Sequence, residues 1–143
     1  MRIQILISVL LFTQLATAHP IDCYEAASQD RVIKFSDDLK TALCRKATST
    51  APYDCFAKVY TNSSDYRISS TLGVVLCQGA TDIDKPLDCF NQALTKFRGQ
   101  ITNMQAIKFC SGTTSATEAI ACFEKARSKY GLDNELAADL CAH

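Results

Sequence analysis

Residues 88–93, Asp88-Cys89-Phe90-Asn91-Gln92-Ala93, and then Phe109-Cys110-Ser111-Gly112, form the signature on which the reading of the fold turns. A cysteine followed by an aromatic residue opens the unit, and a cysteine preceded by a large apolar residue closes it. The same arrangement stands three more times. The opening cysteines are Cys23, Cys55, Cys89 and Cys122, at intervals of 32, 34 and 33 residues. The closing ones are Cys44, Cys77, Cys110 and Cys141, at intervals of 33, 33 and 31. Tyr24, Phe56, Phe90 and Phe123 follow the first series, and Leu43, Leu76, Phe109 and Leu140 precede the second. Two interleaved series with matching neighbours identify a fourfold internal repeat.

Within a unit the apolar residues keep a helical period. Cys89, Phe90, Ala93, Leu94 and Phe97 in the third unit draw one stripe, as do Cys122, Phe123, Ala126 and Tyr130 in the fourth. Thr50, Asp84 and Thr117 stand five residues before their cysteines and are expected to cap this helix, with Pro52 and Pro86 in its first turn. Ser36, Ser69, Thr102 and Asp133 stand eight residues before the closing cysteines, where a second helix should start. Leu39 and Leu43, Leu72 and Leu76, and Leu136 and Leu140 share a face of that helix; Gln105 weakens it in the third unit. Gly79 and Gly112 follow as expected left-handed caps, with Lys46 at that place in the first unit. The expected fold is all-α. Four tandem disulfide-bridged helical hairpins, about eight short helices, stack as a small solenoid or a compact bundle.

The start of the chain reads differently. Arg2, a largely apolar run from Ile3 to Leu15, and Ala16-Thr17-Ala18 describe a secretory signal peptide cleaved after residue 18. The run is short for a bilayer span. The expected organisation is a signal peptide over 1–18 and one domain over 19–143, with repeats at about 19–49, 50–82, 83–115 and 116–143. Lys+Arg and Asp+Glu each total 15. The leader holds only Arg2, so residues 19–143 carry a single net negative charge. No charge run offers a track for a phosphate backbone or an anionic membrane, so nucleic acid and stable membrane insertion are not expected.

Eight cysteines behind an export signal read as a disulfide framework. Zinc is disfavoured, because the closest cysteines, Cys44 and Cys55, are 11 residues apart and the two histidines lie at the ends. Of 105 pairings, the within-unit set Cys23–Cys44, Cys55–Cys77, Cys89–Cys110 and Cys122–Cys141 uses every cysteine. Pairing across units would strand Cys23 and Cys141 at opposite ends. The start of one helix and the end of its antiparallel partner also lie within reach of a bridge.

A search for chemistry finds little. His19 and His143 are the only histidines, and no Ser-His-Asp or Cys-His arrangement can be drawn on the repeats. Asp22, Asp54 and Asp88 precede opening cysteines, where a helix N-terminus favours a carboxylate. An N-terminal His19 could chelate copper, but a further histidine ligand is missing. The aromatic stripe at fixed helical offsets reads as core. Asn62-Ser63-Ser64 is a glycosylation sequon in an exposed stretch, meaningful in a eukaryotic host. No catalytic residue, metal or cofactor is expected.

The unit Asp-Cys-Phe-x-x-Ala, closed by Leu-Cys about twenty residues later, resembles tandem cysteine-paired helical repeats in exported proteins of predatory Gram-negative bacteria. The links Gln78-Gly79-Ala80-Thr81 and Ser111-Gly112-Thr113-Thr114 share that look, and Arg45-Lys46-Ala47-Thr48 does so less closely. The resemblance implies architecture and export, and no activity. A looser similarity to disulfide-bridged Sel1-like repeats stops at the bridged hairpin, because their closer cysteines and glycine and tyrosine signature are missing. Ankyrin and tetratricopeptide motifs are absent despite the similar period.

The function expected from this reading is a secreted or periplasmic, non-enzymatic interaction module whose partner is a protein or envelope component. Residues that vary between units, such as Arg31, Lys34, Asp65, Arg67, Lys96, Arg98, Lys125 and Arg127, would face that partner. A carrier of a small apolar ligand held between hairpins is the alternative, and a carboxylate-only hydrolase a further one.

Overall fold

A computed structural model describes residues 20–142. The segment 1–18, expected to be a signal peptide, and His19 and His143 lie outside the described residues. Nine helices and no strand occur among those described: α1 (Pro20–Gln29), α2 (Asp37–Cys44), α3 (Ala51–Thr61), α4 (Ser63–Tyr66), α5 (Ser70–Cys77), α6 (Lys85–Lys96), α7 (Asn103–Cys110), α8 (Ala116–Tyr130) and α9 (Asn134–Leu140). The protein is all-helical. The extra helix beyond the expected eight is α4, a single turn inserted in the second unit, which ends on Arg67 in a left-handed conformation at φ 51°.

Four bridges close the hairpins: Cys23–Cys44, Cys55–Cys77, Cys89–Cys110 and Cys122–Cys141, with Cα–Cα distances of 5.6, 5.7, 5.5 and 5.9 Å. These are ordinary spacings for a disulfide. Each one ties the body of an opening helix to the end of its partner, because Cys44, Cys77 and Cys110 are the last residues of α2, α5 and α7 and Cys141 caps α9.

The opening helices α1, α3, α6 and α8 pack one on the next, and the closing helices α2, α5, α7 and α9 do the same. The molecule is therefore a short two-layered stack in which each hairpin rests on its sequence neighbour. Between the layers lies one continuous core. Phe56, Phe90, Phe109 and Phe123 are fully buried within it. Phe109 stacks on Phe123 at 4.5 Å between ring centroids, and Phe97 meets Phe123 edge-on at 5.2 Å, joining the third and fourth units. Phe35 and Phe56, at 4.4 Å, join the first and second. The aromatic stripe is core, with Tyr24 half-buried and its hydroxyl donating to Asp37.

Helix starts divide into two kinds. Those of the closing helices follow the sequence pattern: the side chains of Ser36, Ser69, Thr102 and Asp133 accept from the backbone N–H of Leu39, Leu72, Gln105 and Leu136. Thr102 and Gln105 complete a reciprocal capping box. The opening helices depart from it. Thr50 and Asp84 flank α3 and α6 but make no side-chain cap. The acceptors stand further upstream, where Ser49 Oγ takes the Ala51 N–H and Asp82 takes those of Asp84 and Lys85. α8 begins at Ala116 behind Ser115, so Thr117 lies inside the helix and not at its cap. The expected caps missed because the chain enters these helices through a turn that brings an earlier oxygen onto the free N–H groups.

The links repeat the same turn. Ala47, Ala80 and Thr113, each three residues past a closing cysteine, are buried and donate their N–H to that cysteine's carbonyl. Gly79 and Gly112 supply left-handed turns at φ 73° and 64°. Lys46 has no positive φ, and its helix ends on a right-handed Arg45. Gly112 does more than turn. Its N–H points at the Leu76 carbonyl of the unit below, and a Cβ there would stand 3.1 Å from the Gln78 carbonyl oxygen.

A polar pair marks every junction between units. Tyr53 donates to Asp30 between the first and second units. Lys58 bridges to Asp84 between the second and third. Lys96 reaches Glu124 at 2.7 Å between the third and fourth, where Lys108 also binds Glu135 and, at 2.7 Å, Asp139.

These contacts carry expectations of two kinds, the first about packing. Gly112→Ala meets both a left-handed φ and a backbone oxygen, and should cost about 1–2 kcal/mol in chemical denaturation. Phe109→Ala should cost about 3–5 kcal/mol; an unchanged midpoint in either would contradict the packing described. The second expectation concerns pH. Burial, and then the hydrogen bond to Asp30, push the Tyr53 hydroxyl up to about 12. A raised tyrosine favours the neutral folded form, so its contribution is complete below pH about 10 and lost as pH climbs toward 12. Tyr53→Phe should therefore remove part of the fall in melting temperature across that window, measured against wild type.

Candidate functional site

The residues read from the sequence as a variable recognition surface do not gather in one place. Arg31, Lys34, Asp65, Arg67 and Arg98 are exposed. Lys96 is held by Glu124. Arg127 is half-buried, lies over the rings of Phe97 and Phe123 at 5.9 and 5.6 Å, and donates to the Gln100 side chain. Its guanidinium packs the third unit against the fourth, which occupies it structurally. Lys125 stands apart from these, because it borders a groove at the end of the stack.

The carboxylates ahead of the opening cysteines each sit at the start of a separate helix, Asp22 in α1, Asp54 in α3 and Asp88 in α6. Three acids do meet around a surface hollow of about 380 Å³, namely Asp54, Asp82 and Asp84. Each has a task. Asp54 accepts from the Thr50 hydroxyl at 2.8 Å, Asp84 pairs with Lys58, and Asp82 caps α6. The two N–H groups on Asp82 hold its carboxyl below the usual range, opposite to the shift that a general acid needs. Among the described residues, no group of three His, Cys, Asp or Glu side chains is arranged to hold a metal ion.

Asn62 of the sequon is exposed. Its side-chain amide donates to the Lys58 carbonyl at 2.9 Å at the end of α3 and to the Thr61 hydroxyl at 3.3 Å, so a glycan, which takes one of the two amide hydrogens, would leave a hydrogen for only one of these bonds.

Two grooves carry more apolar character. One, of about 520 Å³, runs between α6 and α8 and is floored by Ile120 and Ala121 beneath the Lys96–Glu124 pair. The other, of about 430 Å³, opens on the outward side of the fourth unit and is bounded by Glu118, Ala121, Cys122, Lys125, Ala126, Tyr130 and Leu140. The repeat makes this second groove distinctive. Leu43, Leu76 and Phe109 are 0% exposed, whereas Leu140 at the same place in the fourth unit is 63% exposed. Tyr130 is 60% exposed where its counterpart Phe97 is 6%. Leu136 is exposed where Leu39 and Leu72 are half-buried. The face that each earlier unit covers with its successor is thus left open at the fourth.

Position-by-position comparison of the units shows that Leu136 and Leu140 are as apolar as their buried or half-buried counterparts, but spacing alone does not tell that the fourth-unit pair is exposed. Among the described residues no helix is long and apolar enough to cross a membrane. No family model, curated protein or solved structure matches the chain.

Proposed function

We propose that the protein is an exported, non-enzymatic interaction module that binds a protein partner through the open end of its stack. One observation carries the reading: Tyr130, Leu136 and Leu140 are exposed at positions that earlier units bury or half-bury. End units of helical repeats ordinarily turn a polar side outward, so an apolar end marks a contact surface. Four disulfides support an oxidising compartment, in keeping with the leader read in residues 1–18. The cross-linked stack supplies rigidity, which lowers the ordering cost of binding.

The reading is tested by placing a photo-crosslinking residue at position 140, and separately at Lys34, exposed in the link between α1 and α2, in an exporting host. Position 140 should yield one or a few reproducible protein adducts and position 34 none. Adducts equally absent from both, with the protein exported and oxidised, would overturn it.

A further inference from the structure

The internal junctions show what the open end is shaped to receive. At each one, an opening helix offers a stripe to the unit above, and the next opening helix lays a second stripe upon it. On the lower side the polar partner lies three or seven residues after the cysteine: Asp30, Lys58 and Lys96. On the upper side an apolar or aromatic residue stands two before the cysteine. It is Tyr53 in the second unit, and in the third and fourth it is Leu87 and Ile120, 2% and 6% exposed. Glu124, two after its cysteine, is the acid that Lys96 meets.

Among the described residues, both ends of the stack carry these same elements exposed. The fourth unit presents Lys125 and Lys129 at the positions of Lys58 and Lys96, beside the exposed Tyr130 and Leu140. The first unit presents Ile21, 60% exposed, at the position of the buried Leu87 and Ile120. It also presents Glu25, exposed, at the position of Glu124. The two ends thus offer apolar residues to each other, with Lys129 opposite Glu25 in the register that sets Lys96 on Glu124 between the third unit and the fourth. Asp139 stands where Lys108 does in the third unit, so the second ion pair of that junction is not repeated.

Resting on the reading of the open end as a contact surface, we propose that its partner is a second copy of this chain: the fourth unit receives the first unit of the next molecule, head to tail. Ile21 would enter the groove beside Leu140, and Lys129 would meet Glu25 as Lys96 meets Glu124. Such a contact is heterologous, so it does not close on itself after two molecules and extends the stack as an open row. The Lys129–Glu25 pair favours this arrangement over one that sets two fourth-unit ends together.

Sedimentation velocity on the purified, oxidised protein from about 1 to 500 μM tests the proposal, with the range chosen to span weak self-association. The wild type should show a weight-average mass that rises steadily with concentration. Leu140→Glu and Ile21→Glu, both at exposed positions, should each weaken association at least about tenfold. An equimolar mixture of the two should form a dimer and nothing larger, since each retains one intact end. Lys129→Glu should weaken assembly and Lys129→Glu with Glu25→Lys should restore it, which keeps the question answerable if a glutamate at 140 or 21 impairs folding. A wild type that stays monomeric throughout, an Ile21→Glu variant that still dimerises, or a mixture that stays monomeric would overturn the proposal. A monomer that nonetheless crosslinks another protein at position 140 would leave the contact-surface reading standing while removing the second copy as its occupant.

Discussion

Everything in this structure depends on a covalent tie between two helices that are too short to hold each other. The closing helices span 7 or 8 residues, below the length at which a helix persists alone in water. A bridge from the body of the opening helix to the end of its partner closes a loop of 19 to 22 residues. In the chain-entropy account such a loop contributes about 3 kcal/mol, chiefly by restricting the unfolded chain. Fixing each hairpin in this way leaves burial with a smaller task, which is to stack preformed units. The largest buried side chains accordingly sit where one unit meets the next, as Phe109 does on Phe123.

Stacking identical units in one direction has a consequence that a closed bundle avoids. Every internal junction joins the upper side of one hairpin to the lower side of the next, so the two ends of the stack must differ. The third-to-fourth junction shows the chemistry in full, with rings in contact at its centre and Lys96, Lys108 and Arg127 around them. The fourth unit keeps the apolar half of that design, with Tyr130, Leu136 and Leu140 exposed. This asymmetry turns a structural repeat into a functional suggestion, because an exposed leucine at a position where the same chain otherwise buries one is not accounted for by folding.

Much of the architecture was legible in the residues. The cysteine repeat, the helical apolar period and the helix-start residues together point to four hairpins; full use of the cysteines and the geometry of an antiparallel pair favour the within-unit bridges, and the Ser36, Ser69, Thr102 and Asp133 caps stand where their spacing places them. The missed caps show the limit. Whether Asp84 or Asp82 accepts from the free N–H groups depends on the turn leading into α6, and composition does not specify that turn. The single-turn α4 lies in the polar stretch that carries the sequon, where no apolar period signals a helix. The site was harder still. Charged residues that vary between units looked alike in sequence, yet Arg127 lies on the rings of the core while Lys125 borders an open groove. Only the stacking direction separates them, and that direction is a property of the whole chain.

The central claim is that covalent closure of each hairpin is what permits these small units to stack. Thermal unfolding followed by circular dichroism, before and after complete reduction and thiol blocking, tests it most directly. Four bridges together rival the roughly 5–15 kcal/mol by which domains of this size are stable. The account predicts that the reduced, blocked protein loses its cooperative transition and most of its helical signal at room temperature. A reduced protein, verified to carry eight blocked thiols, that melts at the same temperature with the same helical content would contradict it.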